Sequence, residues 1–214
     1  MIAPNLALVP NLTLEFTQNP CFIEAYLKIR EYVYITEFNL GSYEDHRDEY
    51  DHDPNTAIVV VRKGNQVIGG SRCTMRVKGS NNLLPHESDE FKLIDNLPEL
   101  KLRNKSYIEV TRMALLPEYR DDGTIARNLI ELQIQGSIEK GATFGFTVTP
   151  LIQARNNRNH IRRIGFNMVM RPDIIIPDKP LYRGRKMVLS TIDFTKPHVV
   201  GDHPNTFVAD SIAA

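Results

Sequence analysis

No tryptophan occurs among the 214 residues, and cysteine occurs only twice, as Cys21 and Cys73. Two cysteines make neither a disulfide framework nor a metal site, so a reducing cytoplasm is the expected compartment. There is no net charge either: 26 Lys and Arg balance 26 Asp and Glu. That balance argues against nucleic-acid or membrane-surface binding driven by bulk charge and leaves only local patches. No window approaches the ~18 consecutive apolar residues of a membrane span. The opening MIAPNLALVPNLTLEF is broken by Pro4 and Pro10 and has no basic start, which makes it a poor signal peptide. There is no internal repeat and no low-complexity tract. The length fits one domain, expected over residues 1–196, with 197–214 an extended tail marked by Pro197, His203-Pro204 and an alanine-rich end.

Hydrophobic periodicity orders the elements. Leu12, Leu14 and Phe16 alternate with polar residues, as in a strand. After Asn19-Pro20, the residues Phe22, Ile23, Tyr26, Leu27, Ile29, Val33 and Tyr34 make a helical stripe. The acidic stretch SYEDHRDEYDHDP reads as a polar loop, and AIVVVRKGNQVIGGSRCTMRV as a hairpin turning at Lys63-Gly64-Asn65. Residues 78–105 read as an irregular insertion with one short helix. SYIEVTRMALL is the next strand, and RDDGTIARNLIELQIQGSIEKG the next helix, closed by Gly141. TFGFTVTP, LIQARNNRNHIRRIG, FNMVM and RKMVLSTIDF follow as strand, helix, strand and strand. The order β-α-β-β-β-α-β-α-β-β predicts an α/β (α+β) fold with a mixed, mostly antiparallel central sheet flanked by helices, not a doubly wound one.

Charge turns up where this pattern predicts burial. In the strand Ile108-Glu109-Val110-Thr111-Arg112, alternation places Glu109 and Thr111 on one face and Arg112 on the other. A buried charge is costly unless paired, and singly each is ordinarily a structural ion pair. Arg72 in the hairpin, Arg30 beside the first helical stripe, and Asp48, Asp51 and Asp53 in the acidic loop extend the pattern. Together they suggest a polar cluster in a cleft flanking the sheet.

Read in order, these residues form a motif series. Arg30-Glu-Tyr-Val-Tyr34 is followed by Asp48-Glu-Tyr-Asp51, Gly69-Gly-Ser-Arg72, Leu84-Pro85 leading to Phe91, and Glu109-Val-Thr111-Arg112. Over roughly residues 12–170 the series resembles the GNAT N-acyltransferases, in the branch of the N-acyl amino acid synthases and acyl-homoserine-lactone (autoinducer) synthases. The resemblance implies that Glu109 is the general base for the attacking amine, directly or through water. It makes Arg72 and Arg112 catalytic partners within an electrostatic cluster. Arg30, Tyr34, Asp48, Asp51 and Thr111 would order the acceptor, with Asp51 and Asp53 an equally acidic alternative pair. The lactone synthases carry a tryptophan shortly after the early aromatic, where this chain has Phe38-Asn-Leu40. A plain amino acid is therefore the expected acceptor, with S-adenosylmethionine the alternative.

The resemblance also implies a thioester donor and no bound cofactor. Its phosphopantetheine arm would insert between the Glu109 strand and the TFGFTVTP strand, near Thr147 and Thr149. Its phosphate would meet the start of the following helix, at Arg120 and Gly123. Acetyl-CoA users show Arg/Gln-x-x-Gly-x-Gly/Ala there, whereas here Ile125 fills the second small position, and Asp121 and Asp122 are expected helix caps. Such a loop suits the single phosphate of an acyl carrier protein better than the pyrophosphate of coenzyme A. Arg155, Arg158 and Arg162 share a helix face and could dock an acidic carrier, though they also read as a solvated face. Neither cysteine is needed, and Cys73 reads as core. The expected partners are thus an acyl carrier protein and an amino acid, with no nucleic acid and no integral membrane association.

Overall fold

The computed structural model describes residues 11–39, 47–120, 123–179 and 182–197. The expectations for the first ten residues, Leu40, Asp121, Asp122 and positions 198–214 lie outside them. Seven strands form one sheet in the order β1-β2-β3-β4-β5-β7-β6. They are β1 (Leu12–Thr17), β2 (Thr56–Lys63), β3 (Gln66–Arg76), β4 (Ser106–Leu115), β5 (Ala142–Pro150), β6 (Phe166–Arg171) and β7 (Met187–Pro197). Only β4 and β5 pair in parallel. The helices are α1 (Pro20–Tyr32), α2 (Leu93–Asn96), α3 (Thr124–Glu139) and α4 (Leu151–Arg163). The sequence order holds, and residues 78–105 contribute only α2 and two 3-10 turns.

Local chemistry starts α1 where expected. The Asn19 side chain accepts from the Cys21 amide at 2.9 Å, and Pro20 occupies the first turn. The helix then widens into a π-helical turn at Val33–Glu37, a distortion common at functional sites.

Helices cover both faces of the sheet. Ile58 and Val60 pack with Tyr26 and Leu27 of α1, while Val59 and Val61 pack with Ile125 and Leu129 of α3. Burial on both faces explains why β2 reads as a continuous apolar run. Each such valine contributes about 1.5–3 kcal/mol. On the far half, α4 joins α3 over β6 and β7 through Ile161, Met168, Ile192 and Phe194. Opposite them, Leu84, Leu93 and Leu97 cover Tyr107, Phe144 and Phe146.

Two irregularities in β4 open the sheet. Its pairing with β5 runs only from Ser106 to Glu109, so the two strands part beyond that point. Its register with β3 slips between Gly70 and Arg72, opposite Arg112, whose φ of 59° is left-handed. The slip is a bulge and changes which face each residue takes. Ahead of it Ile108 and Val110 lie on the α3 side, whereas behind it Ala114 packs with α1 and Leu115 with α3.

Candidate active site

The bulge corrects one expectation from simple alternation. Thr111 and Arg112 do not take opposite faces: the left-handed backbone at Arg112 turns both toward the α1 side. There Arg72 Nε donates to Thr111 Oγ1 at 3.2 Å, and Arg112 Nη2 donates to Asp48 Oδ2 at 3.2 Å. A non-glycine residue at positive φ costs on the order of 1–3 kcal/mol and persists where its surroundings hold it. Here Tyr26 holds it, donating its hydroxyl to the Arg112 carbonyl at 2.5 Å. Gly70 makes this reach possible, because a Cβ there would stand 2.8 Å from the Tyr26 ring and 2.5 Å from the Val59 carbonyl.

Seven of the residues expected at the acceptor side meet in this place. Asp51 accepts both terminal nitrogens of Arg30, at 2.8 and 2.7 Å, and Arg72 Nη1 at 2.9 Å. Arg72 has no exposed surface and also binds Asp48. Tyr34, from the π-helical turn, lies with its ring 5.6 Å from the Arg112 guanidinium. The turn Glu49–Asp51 fixes both carboxylates: Asp48 accepts the Tyr50 amide at 3.1 Å, and its own amide donates to Asp51 at 2.9 Å. Of the two acidic pairs, Asp48 and Asp51 lie together in this cluster, while Asp53 caps the Asn55 amide at 2.7 Å.

Burial pushes the Asp51 carboxyl up. The hydrogen bonds from Arg30, with the charges of Arg30 and Arg72, more than reverse this and hold it well below the usual carboxylate range. Burial raises the Tyr34 phenol, against the opposing pull of Arg112 and Arg30.

Glu109 also has no exposed surface. Its carboxylate accepts the His86 backbone amide at 3.0 Å and binds His86 Nδ1. The other ring nitrogen, Nε2, meets the Tyr182 hydroxyl at 3.0 Å, with the two rings stacked 5.6 Å apart. Sequence reasoning missed His86 and Tyr182. The one available signal was the position of His86, directly after the Leu84-Pro85 motif.

The donor-side residues are more scattered. Gly123, at φ 69°, is the N-cap of α3, and with Arg120, Thr147 and Thr149 it lines the opening between β4 and β5. Arg120 is already engaged, donating from Nε to the Leu115 carbonyl at 2.8 Å and from Nη2 to Glu37 at 3.0 Å. This hydrogen bond holds the Glu37 carboxyl below its ordinary value. From α4 the opening receives Gln153, Asn156, His160 and Arg163, while Arg155, Arg158 and Arg162 stand exposed outside it. Cys73 is core, its thiol pushed up to about 11 by burial.

These groups border one cleft of about 850 Å³. At its polar end stand Tyr34, His86, Thr111, Arg112 and Tyr182. It continues past Gly145 and Thr147 into an apolar interior of Ile130, Ile134, Met168, Ile192 and Phe194. A gap between parted strands beside a helix N-terminus has room for an extended arm and unpaired amides for an anionic group. The model of the acetyltransferase (GNAT) domain matches residues 29–129. The fold is GNAT-like.

Solved structures agree on the fold. FeeM, an N-acyl amino acid synthase from uncultured soil microbes, is similar over 87% of this chain and 93% of its own, at a TM-score of 0.64 and 12% identity. BjaI, a CoA-dependent acyl-homoserine lactone synthase solved with SAM and isopentyl-CoA, covers 82% and 77% at 0.55 and 16%. The protein yncA from Salmonella typhimurium, solved with its cofactor acetyl-CoA, covers 90% and 99% at 0.53 and 13%. No curated protein matches by sequence. Among the described residues, no helix is long and apolar enough to cross a membrane.

Proposed function

We propose that this GNAT acyltransferase moves a long fatty acyl group from the phosphopantetheine thioester of an acyl carrier protein to the amine of an amino acid. The observation that carries this reading is the polarity of the cleft. One end is charged and locked, whereas the other runs between β4 and β5 into the apolar core. An acetyl group needs no such interior. Gly145 lets that interior pack close against β5, since a Cβ there would stand 2.6 Å from the Phe194 ring and 3.2 Å from Ile108.

The chemistry fits the parts. The amine must be neutral to attack the thioester carbonyl and sheds a further proton once the N–C bond forms, so a base beside the polar end brings a gain of about 10²–10⁴-fold. Holding both reactants in one cleft is the other large contribution. The edge of β4 beyond Glu109, released from β5, offers backbone amides to the tetrahedral oxyanion. The carrier as donor is favoured by Arg120, whose guanidinium is spent on Glu37 and Leu115, and by the exposed arginines of α4. Similarity to FeeM favours an amino-acid acceptor. Similarity to BjaI keeps lactone synthesis from S-adenosylmethionine, or a coenzyme A donor, as the second reading.

Incubation with acyl carrier protein thioesters and mixed amino acids, followed by product mass analysis, separates these readings. An N-acyl amino acid is expected. Release of methylthioadenosine with a lactone would instead favour the second reading, and no amide from intact donor would end the first.

A further inference from the structure

Glu109 is the carboxylate that the motif series marks as the base, yet it has no surface on the cleft. It lies behind His86, and it is His86 and Tyr182 that line the wall. We infer that His86, acting through Tyr182, is the proton acceptor of this site, and that Glu109 is a positioning residue that fixes the imidazole. The inference rests on the acyl-transfer reading above and assigns the proton path within it.

The geometry determines the tautomer. Glu109 Oε1 faces Nδ1 while its Oε2 takes the His86 backbone amide at 3.0 Å, so the carboxylate grips both ends of one residue. A carboxylate accepts, hence Nδ1 carries the proton and Nε2 presents a lone pair. The partner of that lone pair is the Tyr182 hydroxyl, at 3.0 Å. Five further hydrogen bonds hold the assembly. Glu87, in the same loop, accepts the Leu84 amide at 3.0 Å, the Leu93 amide at 2.8 Å and the Tyr107 hydroxyl at 3.2 Å. Lys179 donates to the Pro85 carbonyl at 2.5 Å, and the Lys179 carbonyl receives the Tyr182 amide at 2.9 Å, which joins the two loops. An irregular loop anchored so heavily serves to hold what it carries.

Charged and titratable groups surround the pair on every side. Glu109 comes from β4, Tyr182 and Lys179 from the segment before β7, Tyr50 from the turn at Glu49–Asp51, and Glu87 from the loop itself, with Arg112 on the cleft wall and Arg72 buried behind it. His86 is the member that combines a free-base nitrogen with a place on the wall.

The ammonium loses one proton to solvent, and the neutral amine attacks the thioester carbonyl, forming the N–C bond. The second N–H proton passes to the Tyr182 oxygen as the Tyr182 proton moves to His86 Nε2, and Glu109 stabilises the imidazolium. Collapse breaks the C–S bond, the electron pair leaves on sulfur, and the imidazolium returns its proton through Tyr182 to give the thiol.

The test uses the full chain. His86→Asn keeps an amide donor near the Nδ1 position, so Glu109 stays satisfied, but removes the basic nitrogen. It is expected to lower kcat by about 10²–10⁴-fold with little change in either KM. Tyr182→Phe should also lower kcat. Nitrogen-15 NMR of histidine-labelled protein, with His86 assigned by its loss in His86→Asn, should find the proton on Nδ1 in the wild type and a mixture of tautomers in Glu109→Gln. A proton fixed on Nε2, or a folded His86→Asn protein with wild-type kcat, overturns the inference. Wild-type protein inactive on every thioester contradicts the acyl-transfer reading instead, and the tautomer then decides the His86–Glu109 pair by itself.

Discussion

The two ends of the cleft are built by different means. At the acceptor end, side chains from α1, the Glu49–Asp51 turn, β3 and β4 hold one another in ion pairs, and the two most central, Arg72 and Asp51, are wholly buried. At the donor end the parts are largely backbone: a gap between two strands, a left-handed Gly123 and the start of α3. Of its charged groups, Arg120 is engaged by Glu37, Arg155, Arg158 and Arg162 stand outside, and Arg163 lines the opening. A rigid charged site suits a small polar acceptor that must be held in one pose. An open groove with few charged contacts suits a flexible arm delivered by a separate partner, where the partner's own surface supplies part of the affinity.

If the acceptor end is over-determined, removing one charge should cost most. Asp51→Asn leaves Arg30 and Arg72 buried without their shared carboxylate, and should destabilise by about 3–5 kcal/mol at neutral pH in urea unfolding. The pH dependence has a definite sign. Asp51 is held below its unfolded value, so its contribution is complete above about pH 4 and is lost as the pH falls toward the depressed folded value. The acid limb of the stability curve should therefore be steeper in the wild type than in Asp51→Asn. An unchanged curve would break the comparison.

A smaller effect should follow from the bulge. Gly70→Ala forces a Cβ against the Val59 carbonyl and the Tyr26 ring, at about 1–3 kcal/mol, and should lower activity because Arg112 shifts. Tyr26→Phe removes only the hydroxyl that holds the Arg112 carbonyl, at about 1 kcal/mol by thermal unfolding. At the donor end, Glu37→Gln should cost at most about 1 kcal/mol, the ordinary worth of a partly exposed pair. A cost comparable to that of Asp51→Asn would make the two ends alike.

The same contrast governs what the sequence could disclose. The element order was legible because hydrophobic periods survive tertiary packing, and the Asp48–Asp51 spacing matches the turn that presents both carboxylates. The side taken by Arg112 was not, because one left-handed residue reverses the alternation, and the cause lies in Tyr26 and Gly70, distant in the chain. Nor could the engagement of Arg120 by Glu37 be read, since the two are 83 residues apart. His86 and Tyr182 sit in segments without periodicity, where nothing local shows which way a side chain points. Loops disclose their chemistry only once the fold has brought them together.

If the two ends serve two substrates, each end should control a KM of its own. Steady-state kinetics with an acyl carrier protein thioester and its amino-acid acceptor, on Arg112→Lys and on Arg155→Ser/Arg158→Ser/Arg162→Ser, tests it most directly. Arg112→Lys should raise KM for the acceptor alone, and the triple variant, unchanged in stability within about 0.5 kcal/mol, should raise KM for the carrier-bound donor alone. Both variants raising the same KM, or neither moving either, would contradict it.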